Sequence, residues 1–194
     1  SETLDYAHAK NAKGINRYNQ AEYADALEQF ADAYQAYARV DHQLGVIAVL
    51  QNQGLVYFAQ RQDRLAMALF EEALSRSERL GLPKGKADAF QKLGMVALDR
   101  GQFDEAIRRF DEARGIYTSI KDEDNIAVVI NTMGMTLLGK GNPAEYDKAE
   151  SLFKDAAKLN RNRKNWKGVS ANLANLSEVC LRRKSYADAL QYSL

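Results

Sequence analysis

The chain has 194 residues, of which 46% are hydrophobic, and its 27 basic side chains nearly balance 26 acidic ones. This composition is that of an ordinary globular protein and argues against intrinsic disorder. The sequence holds no run of 18 apolar residues and starts without a signal-peptide pattern, so no membrane span is expected. A cytoplasmic location is favoured, and a periplasmic one stays open if a signal segment was removed. The single cysteine excludes an internal disulfide.

Apolar residues recur at helical spacing along the whole chain. Leu50, Gly54 and Tyr57, for example, are spaced i, i+4 and i+7, which places them on one face of a helix. Short breakers such as Arg100-Gly101-Gln102 separate these segments, and Pro143 suits the first turn of the helix that follows it. In chain order the predicted helices cover residues 3–19, 23–39, 42–59, 63–80, 84–99, 103–119, 124–139, 144–161, 166–183, and 186 onward.

The helices form an internal repeat. Small residues recur every 40 positions and then after 43, at Gly14, Gly54, Gly94, Gly134 and Ser177. Each is followed by an alanine, at Ala26, Ala66, Ala106, Ala149 and Ala189, then in the first four units by an aromatic residue and a second alanine. A repeat of this length indicates one helix pair per unit. The small residues let the paired helices approach closely, and Phe70 is expected to fill the space toward the next pair.

This pattern resembles the tetratricopeptide repeat, in its long variety with a 40-residue period. The resemblance rests on Gly54-Leu55-Val56-Tyr57 with Ala66, Phe70 and Ala73, and on Gly94 with Phe103, Ala106, Phe110 and Ala113. It implies an all-α fold, a right-handed superhelical α-solenoid of tandem helix-turn-helix repeats. Residues 1–194 would form a single array, with repeats at about 7–40, 47–80, 87–120, 127–163 and 170–194, the last incomplete.

The resemblance also implies a function, because the first helices of this family line a concave groove. Amides there can satisfy the backbone of an extended peptide, and apolar side chains can form pockets for its side chains. A non-catalytic scaffold that binds a protein or peptide is therefore expected. The alternative is a regulator whose curvature responds to a small peptide or metabolite. Register by register, the groove positions are Asn11, Ile15, Tyr18, Gln51, Asn52, Leu55, Phe58, Gln91, Lys92, Met95, Leu98, Asn131, Thr132, Met135, Leu138, Asn175, Glu178 and Arg182.

The sequence contains no complete motif for catalysis, cofactor binding or metal binding. The segment from Gly134 to Gly141 has the glycines and lysine of a phosphate-binding loop, but it lacks the Ser or Thr and lies in a predicted helix. His8 and His42 fall in different repeats without other metal ligands nearby. Cys180 is expected to be buried, and Trp166 is expected to pack in the core or the groove. No enzyme, cofactor or metal is therefore predicted.

Two further expectations concern the last quarter of the chain, where residues 154–194 carry nine basic and three acidic groups. A cluster of five cations is either a solvated loop or a patch for an acidic partner, and nucleic acid is disfavoured because aromatic interleaving is limited to Trp166. Since the tenth helix is short, the chain is expected to be a fragment of a longer array or to self-associate through Leu181, Leu190 and Leu194. The cationic cluster consists of Lys158, Arg161, Arg163, Lys164 and Lys167.

Overall fold

The computed structural model describes residues 2–183, and within them all regular structure is helical. The predicted helix boundaries are confirmed to within two residues over this range. The predicted tenth helix, and with it the expected self-association through Leu190 and Leu194, lies outside the described residues. In chain order the helices are α1 Glu2–Asn19, α2 Tyr23–Arg39, α3 Gln43–Ala59, α4 Asp63–Arg79, α5 Pro83–Asp99, α6 Phe103–Ser119, α7 Glu123–Lys140, α8 Tyr146–Asn162 and α9 Trp166–Arg182.

One boundary differs from the prediction because of a proline. Pro143 opens a short 3-10 turn, Pro143–Glu145, and α8 begins only at Tyr146. Asn142 caps this turn by accepting a hydrogen bond from the backbone N–H of Ala144 at 3.1 Å. The predicted α8 start at residue 144 was therefore two residues too early.

The links between successive helices share a left-handed residue. Its φ lies between 51° and 70° and it recurs at 20-residue intervals until the insertion before α8 lengthens the last step. In the link after α2, the N–H of His42 donates to the carbonyl of Tyr37 at 2.9 Å, which closes the end of the helix as in a Schellman motif. The 40-residue period is thus two helices of about 17 residues and two such links. The left-handed positions are Ala21, Asp41, Arg61, Gly81, Gly101, Lys121, Gly141 and Lys164.

Side chains at the starts of three helices satisfy backbone donors that would otherwise lack a partner. His42 accepts from the N–H of Gly45 at 3.0 Å, and Asp122 accepts from that of Asn125 at 3.2 Å. Asn165 does the same for α9. These are N-caps, and they explain why these first helices begin where they do.

The chain divides into two compact units, one ending at Val96 and the other beginning at Ala97, so the boundary falls inside α5. In the first unit α1 packs on α2, α2 on α3, and α3 on α4; in the second, α6 packs on α7, α7 on α8, and α8 on α9. First helices also contact each other, α1 with α3 and α7 with α9.

The repeat's small residue and its aromatic residue pack against each other. The Phe30 ring lies on Gly14, the Phe70 ring on Gly54 and the Phe153 ring on Gly134, so that a Cβ atom at any of these glycines would come within 2.4–2.6 Å of the ring. The Phe70 ring fills the gap within its own pair, and it also packs in one cluster with Leu93 and Val96 of α5, as expected for the space toward the next pair. Each of these rings is at most 1% exposed.

Candidate functional site

In the first unit, an amide pair joins the first helices. The side-chain N–H of Asn52 on α3 donates to the Oδ1 of Asn11 on α1 at 2.9 Å. Both residues are half-buried, so their amide groups are held in place while part of each faces solvent. Leu55 and Phe58 follow on α3 and are partly buried against a cluster that includes Phe70. This face therefore combines fixed amides with partly exposed apolar side chains.

Gln51 departs from the predicted groove. It is only 7% exposed, and its Nε2 donates to the backbone carbonyl of Gly85 at 3.2 Å, which ties α3 to α5. Its neighbour in sequence, Asn52, points to Asn11 instead. Gln51 is therefore a structural cross-link between first helices, and only Asn52 of the two adjacent amides lies where a ligand could reach it.

Lys92, on α5 next to Gln91, is the charged residue among the groove positions predicted for the first unit. Burial lowers the pKa of the Lys92 ammonium, Asp88 acts against this and Lys84 adds to it. Such a desolvated cation is less stable than one in water and gains more from an anionic partner. Of the other predicted positions, Tyr18, Gln91, Met95 and Leu98 are half-buried and Ile15 is exposed. Burial also raises the pKa of the Tyr18 hydroxyl.

In the second unit, side-chain hydrogen bonds connect five asparagines in series, here called the asparagine chain. These residues come from α7, α8, α9 and the link between α8 and α9. Asn165 donates to Asn160 at 2.9 Å, Asn160 to Asn172 at 2.8 Å, and Asn172 to the Oδ1 of Asn131 at 2.8 Å. Asn175 donates to the same oxygen at 2.8 Å. Asn131 and Asn175 were predicted for the groove. The buried Asn160 and Asn172, which also belong to the asparagine chain, were not predicted. Their spacing carried a signal: Asn11 and Asn52 are 41 residues apart, as are Asn131 and Asn172.

The remaining predicted positions of this unit are partly engaged within the protein. Thr132 donates its hydroxyl to the carbonyl of Val128 at 2.9 Å. Arg182 donates to Glu178 on its own helix and to the carbonyl of Leu138 near the end of α7 at 3.2 Å. Met135 is 51% exposed and is the accessible apolar group beside the asparagines.

The five cations of the predicted patch are exposed around the end of α8 and the start of α9. Arg163 forms an ion pair with Asp124 at the start of α7, and Lys164 occupies the left-handed link position. Trp166 is 63% exposed, so the expectation that it packs in the core or groove is wrong. The structure thus brings the cations and this indole onto one accessible end of α8 and α9.

The two histidines, which the sequence placed in separate repeats, meet at Tyr37, and the three rings pack against one another. The centroids of the two histidine rings are 5.7 Å apart, and the Tyr37 hydroxyl is 2.7 Å from Nδ1 of His8. His42 stacks on the Tyr37 ring at 5.2 Å while its Nδ1 caps α3. Both imidazoles therefore have packing and hydrogen-bonding roles.

Other tested features are also structural. Cys180 is buried, as predicted. Residues 134–140 are helical and Gly141 is the C-cap, as expected for a segment that is not a phosphate-binding loop. Between residues 2 and 183, no three His, Cys, Asp or Glu side chains cluster in a way that could hold a metal ion. No helix in this range has both the length and the apolar character to cross a membrane.

Sequence comparison places these features in a family context. A sequence model of the tetratricopeptide repeat matches residues 46–80. The Photosystem I assembly protein Ycf3 of Synechococcus sp. (strain CC9902) is 26% identical over 106 residues, which are 54% of this chain and 60% of that protein. The chain thus matches less than two thirds of the length of this curated relative.

Solved structures share the fold over almost the whole chain. Aspartyl phosphate phosphatase F from Bacillus subtilis superimposes with a TM-score of 0.84 at 15% identity, covering 98% of this chain and 49% of that one. NprR in complex with its cognate peptide NprX gives a TM-score of 0.70 at 16% identity, covering 98% and 54%.

Helix pairs of 40-residue period, in which an aromatic ring packs on a small residue at Gly14, Gly54 and Gly134, define an α-helical repeat protein. The matched repeat at residues 46–80 and the shared fold specify the kind of repeat. The chain is thus a helical repeat protein that contains a tetratricopeptide repeat.

Proposed function

We propose that this chain is a non-catalytic scaffold for protein interactions, and that the face of its first helices binds an extended segment of a partner protein. The family supports the general role, and the matched relative Ycf3 is named as an assembly protein. The finer proposal rests on the residues of this chain.

The observation that carries it is the hydrogen bond between Asn52 and Asn11 beside Leu55 and Phe58. An amide that is already fixed loses little entropy when it binds, which favours affinity. The bond uses one N–H of Asn52 and the oxygen of Asn11, and leaves the Asn52 oxygen and the Asn11 amide group outside it. One acceptor and one donor group thus lie together, as pairing with a peptide backbone requires.

The charge on this face favours a partner with an anionic group. Because burial lowers the pKa of Lys92, a carboxylate placed beside its ammonium would offset part of the desolvation. In the second unit Asn175 and Met135 supply the same combination of an oriented amide and an exposed apolar side chain.

The test begins with capture of partners from the source organism's lysate and their identification by mass spectrometry. A peptide from the captured partner is then titrated calorimetrically into the wild type and the Asn52→Ala/Asn175→Ala variant. We expect binding to weaken by about 1–3 kcal/mol, since each site loses a hydrogen bond worth roughly 0.5–1.5 kcal/mol. Gln20→Ala, an exposed amide in the link after α1, is the matched control and should bind as the wild type does. Unchanged affinity in the double variant, with helicity intact by circular dichroism, would rule the proposal out.

A second candidate is a regulator that responds to a peptide, and the similar fold of NprR bound to its cognate peptide favours it. Small-angle X-ray scattering separates the two, because a regulator changes its dimensions when a peptide binds and a scaffold does not. A radius of gyration that is unchanged at saturation would leave the scaffold as the better description.

A further inference from the structure

A groove in the second unit lies away from the first-helix face, between α6 and α8 over the start of α7. Its volume is about 590 Å³, within the range of ligand sites. Its apolar lining comes from Ile126 and Ile130 of α7 and Leu159 of α8, and Gly115 of α6 lines it as well. None of these residues belongs to the predicted peptide-binding set.

Gly115 has no structural requirement to be glycine. A Cβ atom there would meet nothing within 4 Å, whereas one at Gly54 would strike the Phe70 ring at 2.4 Å. Its backbone is helical and not left-handed. Glycine inside a helix costs about 0.5–1 kcal/mol relative to alanine, so this position lowers stability without a packing benefit.

The equivalent positions of the other repeats carry side chains. Nine residues after the repeat's first alanine stand Gln35, Ser75 and Lys158, where α6 has Gly115. A glutamine or lysine side chain at residue 115 would project into the groove. The glycine therefore keeps open a groove that would otherwise be partly filled.

The excess of positive charge near the groove lies at and beyond the end of α8. Lys158 lines the groove together with one carboxylate, Asp155, and Arg114, which also lines it, is ion-paired with Asp111. Arg161, one turn beyond Lys158, and Lys164 and Lys167 extend the positive charge beyond the end of α8. These groups complement an acidic partner, while the isoleucines and Leu159 offer burial to an apolar side chain.

From the unexplained glycine and the cationic rim, we infer that this groove binds an acidic segment of a partner protein, which inserts one apolar side chain against Ile126, Ile130 and Leu159. The segment's carboxylates face Lys158, Arg161 and the cations beyond them. This site is separate from the first-helix face and does not depend on the function proposed for it.

The experiment selects ligands from a random library, so the natural partner need not be identified first. A displayed library of random twelve-residue peptides is depleted on the Gly115→Gln variant and then selected on the wild type. Gln occurs at the equivalent residue 35 and is a better helix former than Gly, so the variant should fold at least as stably. We expect the retained peptides to be acidic and to share one large apolar residue.

Affinities of one retained peptide are then measured by fluorescence anisotropy. We expect Gly115→Gln and Lys158→Glu each to weaken binding about tenfold or more, which is about 1.4 kcal/mol. Asn52→Ala, in the first unit, should leave it unchanged. Replacing the peptide's apolar residue by Ser should also weaken binding tenfold, and methyl NMR should shift the Ile126 and Ile130 signals.

Three results would overturn the inference. The first is that depletion leaves no binders, or that the retained peptides lack acidic residues. The second is equal affinity for wild type and Gly115→Gln. The third is that the Ser-substituted peptide binds as well as its parent, since attraction would then be purely electrostatic. A single-stranded oligonucleotide that displaces the peptide and shifts the same methyl signals would assign the cations to nucleic acid instead.

Discussion

The ring of Phe70 rests directly on the backbone of Gly54, so that a methyl group at residue 54 would lie 2.4 Å from Cε1 of the ring. This contact sets the distance between α3 and α4. The ring is 1% exposed and its neighbours are close-packed, so it has little room to move.

The first prediction contrasts two helical glycines. Gly54→Ala should lower the free energy of unfolding by about 1–3 kcal/mol, because the core must shift to admit the methyl group. Gly115→Ala should raise it by about 0.5–1 kcal/mol, since nothing lies near that position. Urea denaturation of both variants measures the two effects. Destabilisation by Gly115→Ala would mean that its surroundings are tighter than described.

The second prediction concerns the asparagine chain. Asn131→Ala should destabilise the fold by about 1–3 kcal/mol, because it leaves the side-chain amide of the buried Asn172 without its acceptor. Asn175→Ala should cost less, since Asn175 is half-buried and Asn131 keeps its bond to Asn172. Chemical denaturation compares them, and equal losses would show that Asn172 finds another partner.

The third prediction tests the left-handed links with two alanines of opposite context. Ala21 has a φ of 58°, which costs an L-residue roughly 1–2 kcal/mol, so Ala21→Gly should stabilise the protein by up to about 1 kcal/mol. Ala12 is exposed inside α1, and Ala12→Gly should destabilise by about 0.5–1 kcal/mol. Thermal unfolding should move the two midpoints in opposite directions. A lower midpoint for Ala21→Gly would contradict the strain at this link.

The fourth prediction uses the pKa of Lys92, which burial lowers from its usual 10.5. The unfolded state then binds this proton more readily, so the charged lysine opposes folding below its folded pKa and this effect fades as pH rises toward 10.5. Lys92→Met should therefore stabilise the fold near about pH 7, and by less near about pH 10.

Urea denaturation of wild type and Lys92→Met at both pH values measures this difference directly. The tyrosines and other groups that titrate at high pH are common to both proteins, so they largely cancel. The same gain at both pH values would attribute it to packing rather than charge. A loss of stability at neutral pH would show that Asp88 more than compensates for the desolvation of Lys92.

The sequence by itself determined the helices and their pairing. Small residues at 40-residue spacing, with an alanine and an aromatic residue at fixed distances, are a local pattern that any helix pair of this kind must satisfy. The structure confirmed the boundaries because apolar periodicity and link spacing act within a single helix and its neighbour. Links without glycine, such as Arg61, were still located by the periodicity on either side.

Only the tertiary structure decided which side chains meet across helices. Sequence spacing placed Gln51 and Asn52 together in the groove. In the structure Gln51 is buried and donates to the carbonyl of Gly85, whereas Asn52 donates to Asn11. Sequence spacing separated His8 from His42, which the packing of α1 beside α3 brings into one three-ring cluster with Tyr37. A residue's direction around a helix follows from its position, but its partner depends on how far each helix has rotated and slid against the next, and this is fixed by the whole core.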